Sequence, residues 1–455
     1  MMKDQVLAIL GRKKQVVVME TVVESPDVVR HYIIGISLLV SIFFICLLGL
    51  EALAPPVREG IKKRDTLDEK DKLSLKNKGV RKKILAVDKN RKKKIACWLS
   101  TKVLSSVTKE RLKLADLGIE LTVVRELSQV PLDTQILITN ESCAFEKEDI
   151  LSALEKLEAV IIPNAGIPQS LLSVLAKEKG RREGNLYTFN SHHNATATAE
   201  MAITLTLAAS KRITTADDQL RTGDWRGRGL PLRDGPMPPP VLEQVIMDGQ
   251  TVLILGLGAV GSRVANVLTA FGTNVLATTR TGKASKKYYV SPAVKIFSGS
   301  EIMDLLPRAQ IVIVCLPLGP DTSGLLNRKA LARLPSGAIV VNVGRGPVVD
   351  EAAVYEALTT DSIACYASDV WWNYPKSWQQ ACNSSPAKFH DFSTLPRHKI
   401  LFSPHRGGAI GTRDNDRRLI TAITTSLTNY ALSSTDNPSA LATGDITPLD
   451  LDVGY

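Results

Sequence analysis

An unbroken apolar run, Thr251-Val252-Leu253-Ile254-Leu255, leads directly into Gly256-Leu257-Gly258-Ala259-Val260-Gly261, and few folds accommodate that order of residues. A run of this length reads as a buried parallel strand. Ser262 to Phe271 then carries apolar residues at helical spacing and closes on Gly272, where a helix commonly stops. Asn274 to Thr279 is a second strand. The glycines therefore occupy the strand-to-helix turn of a βαβ unit. Such a turn aims backbone N–H groups and the positive end of a helix at a pyrophosphate. A bare Gly-x-Gly-x-x-Gly is weak evidence; in this setting it is a dinucleotide fingerprint. The competing reading is a tight turn that only packs a helix on a sheet.

The residue closing the second strand selects the cofactor. A carboxylate there would bond the ribose 2′-hydroxyl of NAD. This chain has Thr279, followed by Arg280 and Thr281. No carboxylate repels a 2′-phosphate, and Arg280 is suited to pair with one. NADP is expected in preference to NAD, with a solvated surface charge as the alternative role for Arg280.

The chain has 455 residues, enough for two or three domains, and a net charge of +11. About sixteen Lys and Arg fall between Arg58 and Lys94, so the excess charge belongs to one basic stretch. No aromatic residues interleave with it, which argues against a nucleic-acid platform. The six cysteines show no CxxC pair and no metal spacing, and read as reduced, buried thiols.

Tyr32 to Leu50 carries no charge. At about 1.5 Å per residue it spans roughly the hydrocarbon core of a bilayer. The expected layout is an N-terminal tail (1–31), one transmembrane helix (32–53) and a flexible basic linker (54–93). The basic flank places the catalytic part at the cytoplasmic face of the membrane. A cleaved signal sequence or an organelle presequence (plastid or ER) is the alternative.

From Lys94 onward, strands and helices alternate, which implies an α/β architecture with parallel sheets. Expected strands include 95–99, 120–124, 135–139 and 159–163. Asn164-Ala165-Gly166 ends one of these and offers backbone N–H groups to a carboxylate, or is only a turn needing glycine. Ala195 to Ile213 reads as a long helix crossing between domains, and 215–249 as loop. Gln310–Pro317 and Ala338–Val343 are further buried strands. Arg345 stands between two glycines at a strand's carboxyl end, Asp350 caps a following helix, and His405 ends another strand.

GLGAVG, CLPLGPDTSGLLN, NVGRGPVVDE, SDVW and SPH occur in one order and at spacings that resemble the D-isomer-specific 2-hydroxyacid dehydrogenases, over about Ile95 to Leu432. The resemblance implies two Rossmann-like domains with a cleft between them. The substrate domain would be 94–205 completed by 406–432, and the NAD(P)-binding domain 206–405, with 433–455 a disordered tail. It implies that Arg345 holds the substrate carboxylate or carbonyl oxygen and that His405 is the acid/base. Gly166 and Asn194 would contact substrate. The cofactor would lie along Gly256, Gly258, Ala259, Val260, Gly261, Thr279, Arg280, Leu316, Pro317, Thr322, Val343, Gly344, Asp369 and Gly408, with Asp369 orienting the nicotinamide amide. The partner would be a small 2-hydroxy or 2-oxo acid, and a homodimer is implied.

One departure stands out. The family's Glu five residues after the Asp is Tyr374 here. A phenol orients an imidazole but adds no charge, so His405 should have a lower pKa than in a Glu-paired enzyme. This leaves three functional readings: a membrane-anchored oxidoreductase acting on a glyoxylate- or hydroxypyruvate-like acid, a non-catalytic NAD(P) sensor of the same fold, and a formate-dehydrogenase-like enzyme.

Overall fold

The computed structural model describes residues 94–99, 107–139, 150–167, 169–225, 244–375, 380, 384–433, 437–449 and 451. The expected tail, transmembrane helix and basic linker (1–93) lie outside the described residues. Among the described residues, no helix is long and apolar enough to cross a membrane.

The first half contributes β1 (Lys94–Leu99), α1 (Thr108–Asp116), β2 (Ile119–Val124), β3 (Ile136–Ile138), α2 (Ile150–Ala153), β4 (Ala159–Ile162), α3 (Gln169–Arg181) and β5 (Tyr187–Ser191). Two helices follow, α4 (Ala195–Ser210) and α5 (Ile213–Arg221). The second half contributes β6 (Thr251–Leu255), α6 (Gly261–Ala270), β7 (Asn274–Thr279), β8 (Lys295–Ser298), α7 (Ile302–Leu305), β9 (Ile311–Val314), α8 (Arg328–Leu331), β10 (Ala338–Asn342), α9 (Glu351–Thr359), β11 (Ile363–Ser368) and β12 (Ile400–Phe402). The chain then returns through α10 (Arg413–Leu432) and β13 (Ile446–Pro448).

These strands form two sheets, ordered β13-β5-β4-β3-β1-β2 and β12-β11-β10-β9-β6-β7-β8. Every pairing is parallel except that of β13 with β5. Central strands such as Ile311–Val314 and Ala338–Asn342 are buried along their whole length, because helices cover both faces. Each such aliphatic side chain contributes about 1.5–3 kcal/mol on burial.

The helix after β5 is rich in small residues for a packing reason. Ala199, Ala202 and Ala209 lie in the apolar layer over one face of the second sheet, together with Val264 and Ile339. Small side chains let α4 lie close to that sheet. A domain boundary at 205/206 cuts this helix in two; the structure instead packs α4 as a unit on the second sheet. Conversely, Ile420, Ile423, Leu427 and Tyr430 of α10 share a core with Ile136 and Phe189 of the first sheet, so the chain returns to its first sheet at the end.

Two further expectations are corrected. The run 215–249 is not all loop: Arg212, in left-handed backbone (φ 53°), separates α4 from α5. None of the residues of α5 is buried, so no apolar stripe announces the helix. The disordered tail 433–455 is also overturned for its described part. Leu441 and Ile446 are fully buried against the first sheet, and Ile446–Pro448 adds an antiparallel strand beside Ser191–Phe189. Burial of these few apolar residues offsets the polar composition on which the expectation rested.

Candidate active site

The glycine turn lies between β6 and α6. Gly256 adopts φ +96°, which a side chain would strain, and a Cβ on Gly261 would fall 2.0 Å from the carbonyl oxygen of Gly256. A Cβ on Gly258, by contrast, would meet nothing within 4 Å. The first and last glycines are thus demanded by the chain's own packing, while the middle one faces open space above the turn. No side chain caps the N-terminus of α6, which begins at Gly261 after Val260, and Ala259 is buried beneath it. An uncapped helix start under open space fits a bound diphosphate.

The neighbouring strand ends close around this turn. The carbonyl oxygen of Leu316 lies 2.4 Å from the position of a Cβ on Gly344, and its Cδ2 lies 3.0 Å from that of Gly256. Thr322 donates to the Pro317 carbonyl (2.7 Å) and accepts from Gly319 N–H (2.8 Å), which fixes the turn after β9. Val343 N–H donates to Val314 O (3.1 Å). Thr279 Oγ1 accepts from Lys283 N–H (3.1 Å), while Arg280 is exposed and forms no ion pair or hydrogen bond among the described residues.

Arg345 and Gly166, which belong to different sheets, are brought into contact. A Cβ on Gly166 would fall 1.6 Å from Arg345 Nη2 and 2.8 Å from its Cζ, so the guanidinium lies directly over the Asn164–Gly166 turn. Its Nη1 donates to Gly344 O (2.7 Å). Burial pulls the Arg345 pKa down and Tyr374 opposes this, but a guanidinium remains charged at neutral pH. The following Gly346 has no room for any side chain: its Cβ would fall 2.1 Å from Trp371 O.

His405 adopts left-handed backbone, φ 54°, an uncommon conformation for a residue with a side chain. A hydrogen-bond network holds it there. Asp369, buried at the end of β11, accepts at Oδ1 from Ser403 Oγ (2.5 Å) and Arg406 N–H (2.9 Å), and at Oδ2 from Gly407 N–H (2.8 Å). Trp371 Nε1 donates to Ser403 O (2.7 Å). Asp369 thus has a duty the sequence did not reveal, organising the histidine loop, with acceptor capacity on Oδ2 left for the amide expected there. Gly407 must be glycine because its Cβ would lie 2.6 Å from that oxygen. Gly408 packs on Asn194, whose Nδ2 lies 2.8 Å from the Cβ position.

Tyr374 sits beside the histidine, but not as expected. Its ring is tilted against the imidazole with centroids 5.4 Å apart, and its hydroxyl accepts from Trp371 N–H (3.0 Å). Among the described residues no side chain hydrogen-bonds the imidazole, so Tyr374 orients it by ring contact rather than through the phenol. Partial burial lowers the His405 pKa below its usual value and the Arg345 charge lowers it further; Asp369 opposes both.

Comparison with known proteins agrees with this geometry. Residues 203–407 match the family described as D-isomer specific 2-hydroxyacid dehydrogenase, NAD binding domain. The chain is 32% identical over 287 residues to the D-3-phosphoglycerate dehydrogenase of Mycobacterium bovis, a match covering 62% of this chain and 47% of that protein. It is 31% identical over 252 residues to the glyoxylate reductase of Aeropyrum pernix, covering 55% of this chain and 65% of that one. The chain therefore spans about half the length of the phosphoglycerate dehydrogenases it matches. A solved structure of a D-isomer specific 2-hydroxyacid dehydrogenase from Xanthobacter autotrophicus Py2, in complex with NADPH and MES, has the same fold. Its TM-score is 0.57 at 22% identity, over 80% of this chain and 100% of that one. Residues 203–407, which include the glycine turn, Arg345 and His405, thus belong to the NAD-binding domain family of the D-isomer specific 2-hydroxyacid dehydrogenases.

Proposed function

We propose that the protein is an NAD(P)-dependent oxidoreductase interconverting a 2-oxo acid and a D-2-hydroxy acid, with glyoxylate or hydroxypyruvate as substrate. The observation that carries this reading is the Arg345 guanidinium lying directly over the Asn164–Gly166 turn. A planar, permanently charged fork holds a carboxylate or carbonyl oxygen in fixed geometry. The N–H groups of the Asn164–Gly166 turn add donors to the same anion. The nicotinamide supplies or takes the hydride. In reduction, His405 gives its proton to the carbonyl oxygen; in oxidation, its neutral imidazole takes the proton from the hydroxyl. Asp369 and Ser403 keep the ring in its left-handed loop throughout.

NADPH is the favoured cofactor, supported by the exposed Arg280 just beyond β7 and the absence of a carboxylate at Thr279. Arg280→Ala is expected to raise the KM for NADPH by roughly 10–100-fold, the value of one charge-assisted contact, and to leave that for NADH unchanged. Steady-state kinetics with both cofactors on the purified full chain, against a panel of 2-oxo acids, tests both proposals. Tight NADPH binding with no turnover of any acid would replace the enzyme by a nucleotide sensor.

The uncharged stretch from Tyr32 to Leu50 and the basic run after it support anchoring of this chain in a membrane, its catalytic part cytoplasmic. Alkaline carbonate extraction of cell membranes should leave the protein in the pellet; release into the supernatant argues against a spanning helix.

A further inference from the structure

The substrate turn is tied to a part of the chain far from it in sequence. Asn190, on β5, is almost fully buried, and both ends of its amide are hydrogen-bonded. Nδ2 donates to Ala165 O (3.3 Å), inside the Asn164–Gly166 turn. Oδ1 accepts from Thr447 Oγ1 (2.5 Å), on β13. The backbone reinforces the same link, since Ser191 N–H donates to Asn164 O (3.4 Å) and His192 N–H to Asp445 O (2.7 Å). β13 is itself pinned on both sides. Ile446 is buried in one core of the first sheet and Leu449 in the other, and Leu449 N–H donates to Thr188 O (2.9 Å).

We infer that Thr447 and Asn190 are positioning residues for the substrate carboxylate, and that β13 serves as a brace for the turn on which Arg345 rests. The chemistry of the amide makes the link directional. A hydroxyl donating to Oδ1 fixes which end of the amide is the acceptor, so that Nδ2 presents one of its protons to Ala165 O. The Ala165 carbonyl is thereby held, and the N–H groups of the turn keep their aim at the oxyanion. Gly166 is the point of contact with Arg345, so any drift of the turn is also felt by the guanidinium. Removing the hydroxyl strands a buried carbonyl oxygen, and the amide must turn or draw in water to satisfy it.

This inference rests on the proposed reaction, and its test separates the two. In the full chain, Thr447→Val preserves shape and removes the hydroxyl; Thr447→Ser restores it. The valine variant is expected to raise the KM for glyoxylate or hydroxypyruvate about tenfold, the factor that corresponds to about 1.4 kcal/mol. Its kcat and its dissociation constant for NADPH should stay within about twofold of the parent, and the serine variant should recover the parental KM. Amide hydrogen exchange at Ala165–Ile167 should quicken in the valine variant only. An unchanged KM and unchanged exchange at the turn would overturn the inference. So would a parallel loss of KM, kcat, cofactor binding and melting temperature, which marks a general loss of packing. If the parent protein turns over no acid, the proposed reaction fails, and the exchange measurement alone then decides whether the brace exists.

Discussion

Replacing His405 with Gln is expected to lower kcat for 2-oxo acid reduction by about 10²–10⁴-fold, the range a positioned proton donor supplies. NADPH affinity should be unchanged, because the glycine turn and strand ends proposed to hold the nucleotide do not include the ring. The pH profile of the parent enzyme carries a matching signature. Reduction needs the imidazolium, so kcat/KM for the oxo acid should fall as pH rises through the His405 pKa. That pKa lies below the ordinary imidazole value, because of burial and the nearby Arg345. Oxidation needs the neutral ring, so kcat/KM for the hydroxy acid should rise over the same interval and level off above it. Tyr374→Glu places a negative charge beside the ring and should move both limbs to higher pH. Stopped-flow kinetics across the acidic range checks both claims; a limb that stays in place in the glutamate variant would show that the ring contact, not the missing charge, sets the proton affinity.

The second large effect concerns Gly166. An added methyl group would lie 1.6 Å from Arg345 Nη2, so the guanidinium must leave its place over the turn. The displaced atoms are the far end of a flexible side chain, so Gly166→Ala should fold with a melting temperature close to the parent's. Its kcat/KM for the oxo acid should nevertheless fall about 10²-fold, the usual cost of misplacing a substrate-holding group by around 1 Å. Gly346→Ala makes a useful contrast. There the obstruction is the backbone oxygen of Trp371, 2.1 Å away, which cannot swing aside, and the expected result is poor folding rather than a well-folded, slow enzyme. Thermal melts alongside kinetics distinguish the two. Full activity in the Gly166 variant would mean that the substrate is held elsewhere.

These two glycines show what the sequence could and could not disclose. The βαβ unit around Gly256–Gly261 was readable because strand, turn and helix are contiguous and each is fixed by local chemistry. Arg345 and His405 were readable as members of separate motifs. That they share a cleft with Gly166 was implied only by the resemblance, because contact between Gly166 and Arg345 joins positions from two different sheets. The left-handed backbone at His405 was equally hidden: no glycine marks it, and it is imposed by three hydrogen bonds to Asp369 from Ser403, Arg406 and Gly407. The helix Ile213–Arg221 escaped notice because it buries no residue, so its pattern carries no imprint of a core. The last strand escaped because it is three residues long and contains a proline, which reads as a breaker. Tyr374 was found at the right place with the wrong contact, since a one-letter substitution tells of lost charge but not of ring orientation.

That short last strand also bears on solubility. Without it, Tyr187–Ser191 would form the margin of a parallel sheet, a row of unsatisfied amides and carbonyls open to any extended chain. Ile446–Pro448 covers the row and becomes the new margin, and Pro448 cannot donate an amide to a further strand. This margin of the sheet, opposite the one formed by Ile119–Val124, thus ends in a strand too short and too interrupted to act as a template for aggregation.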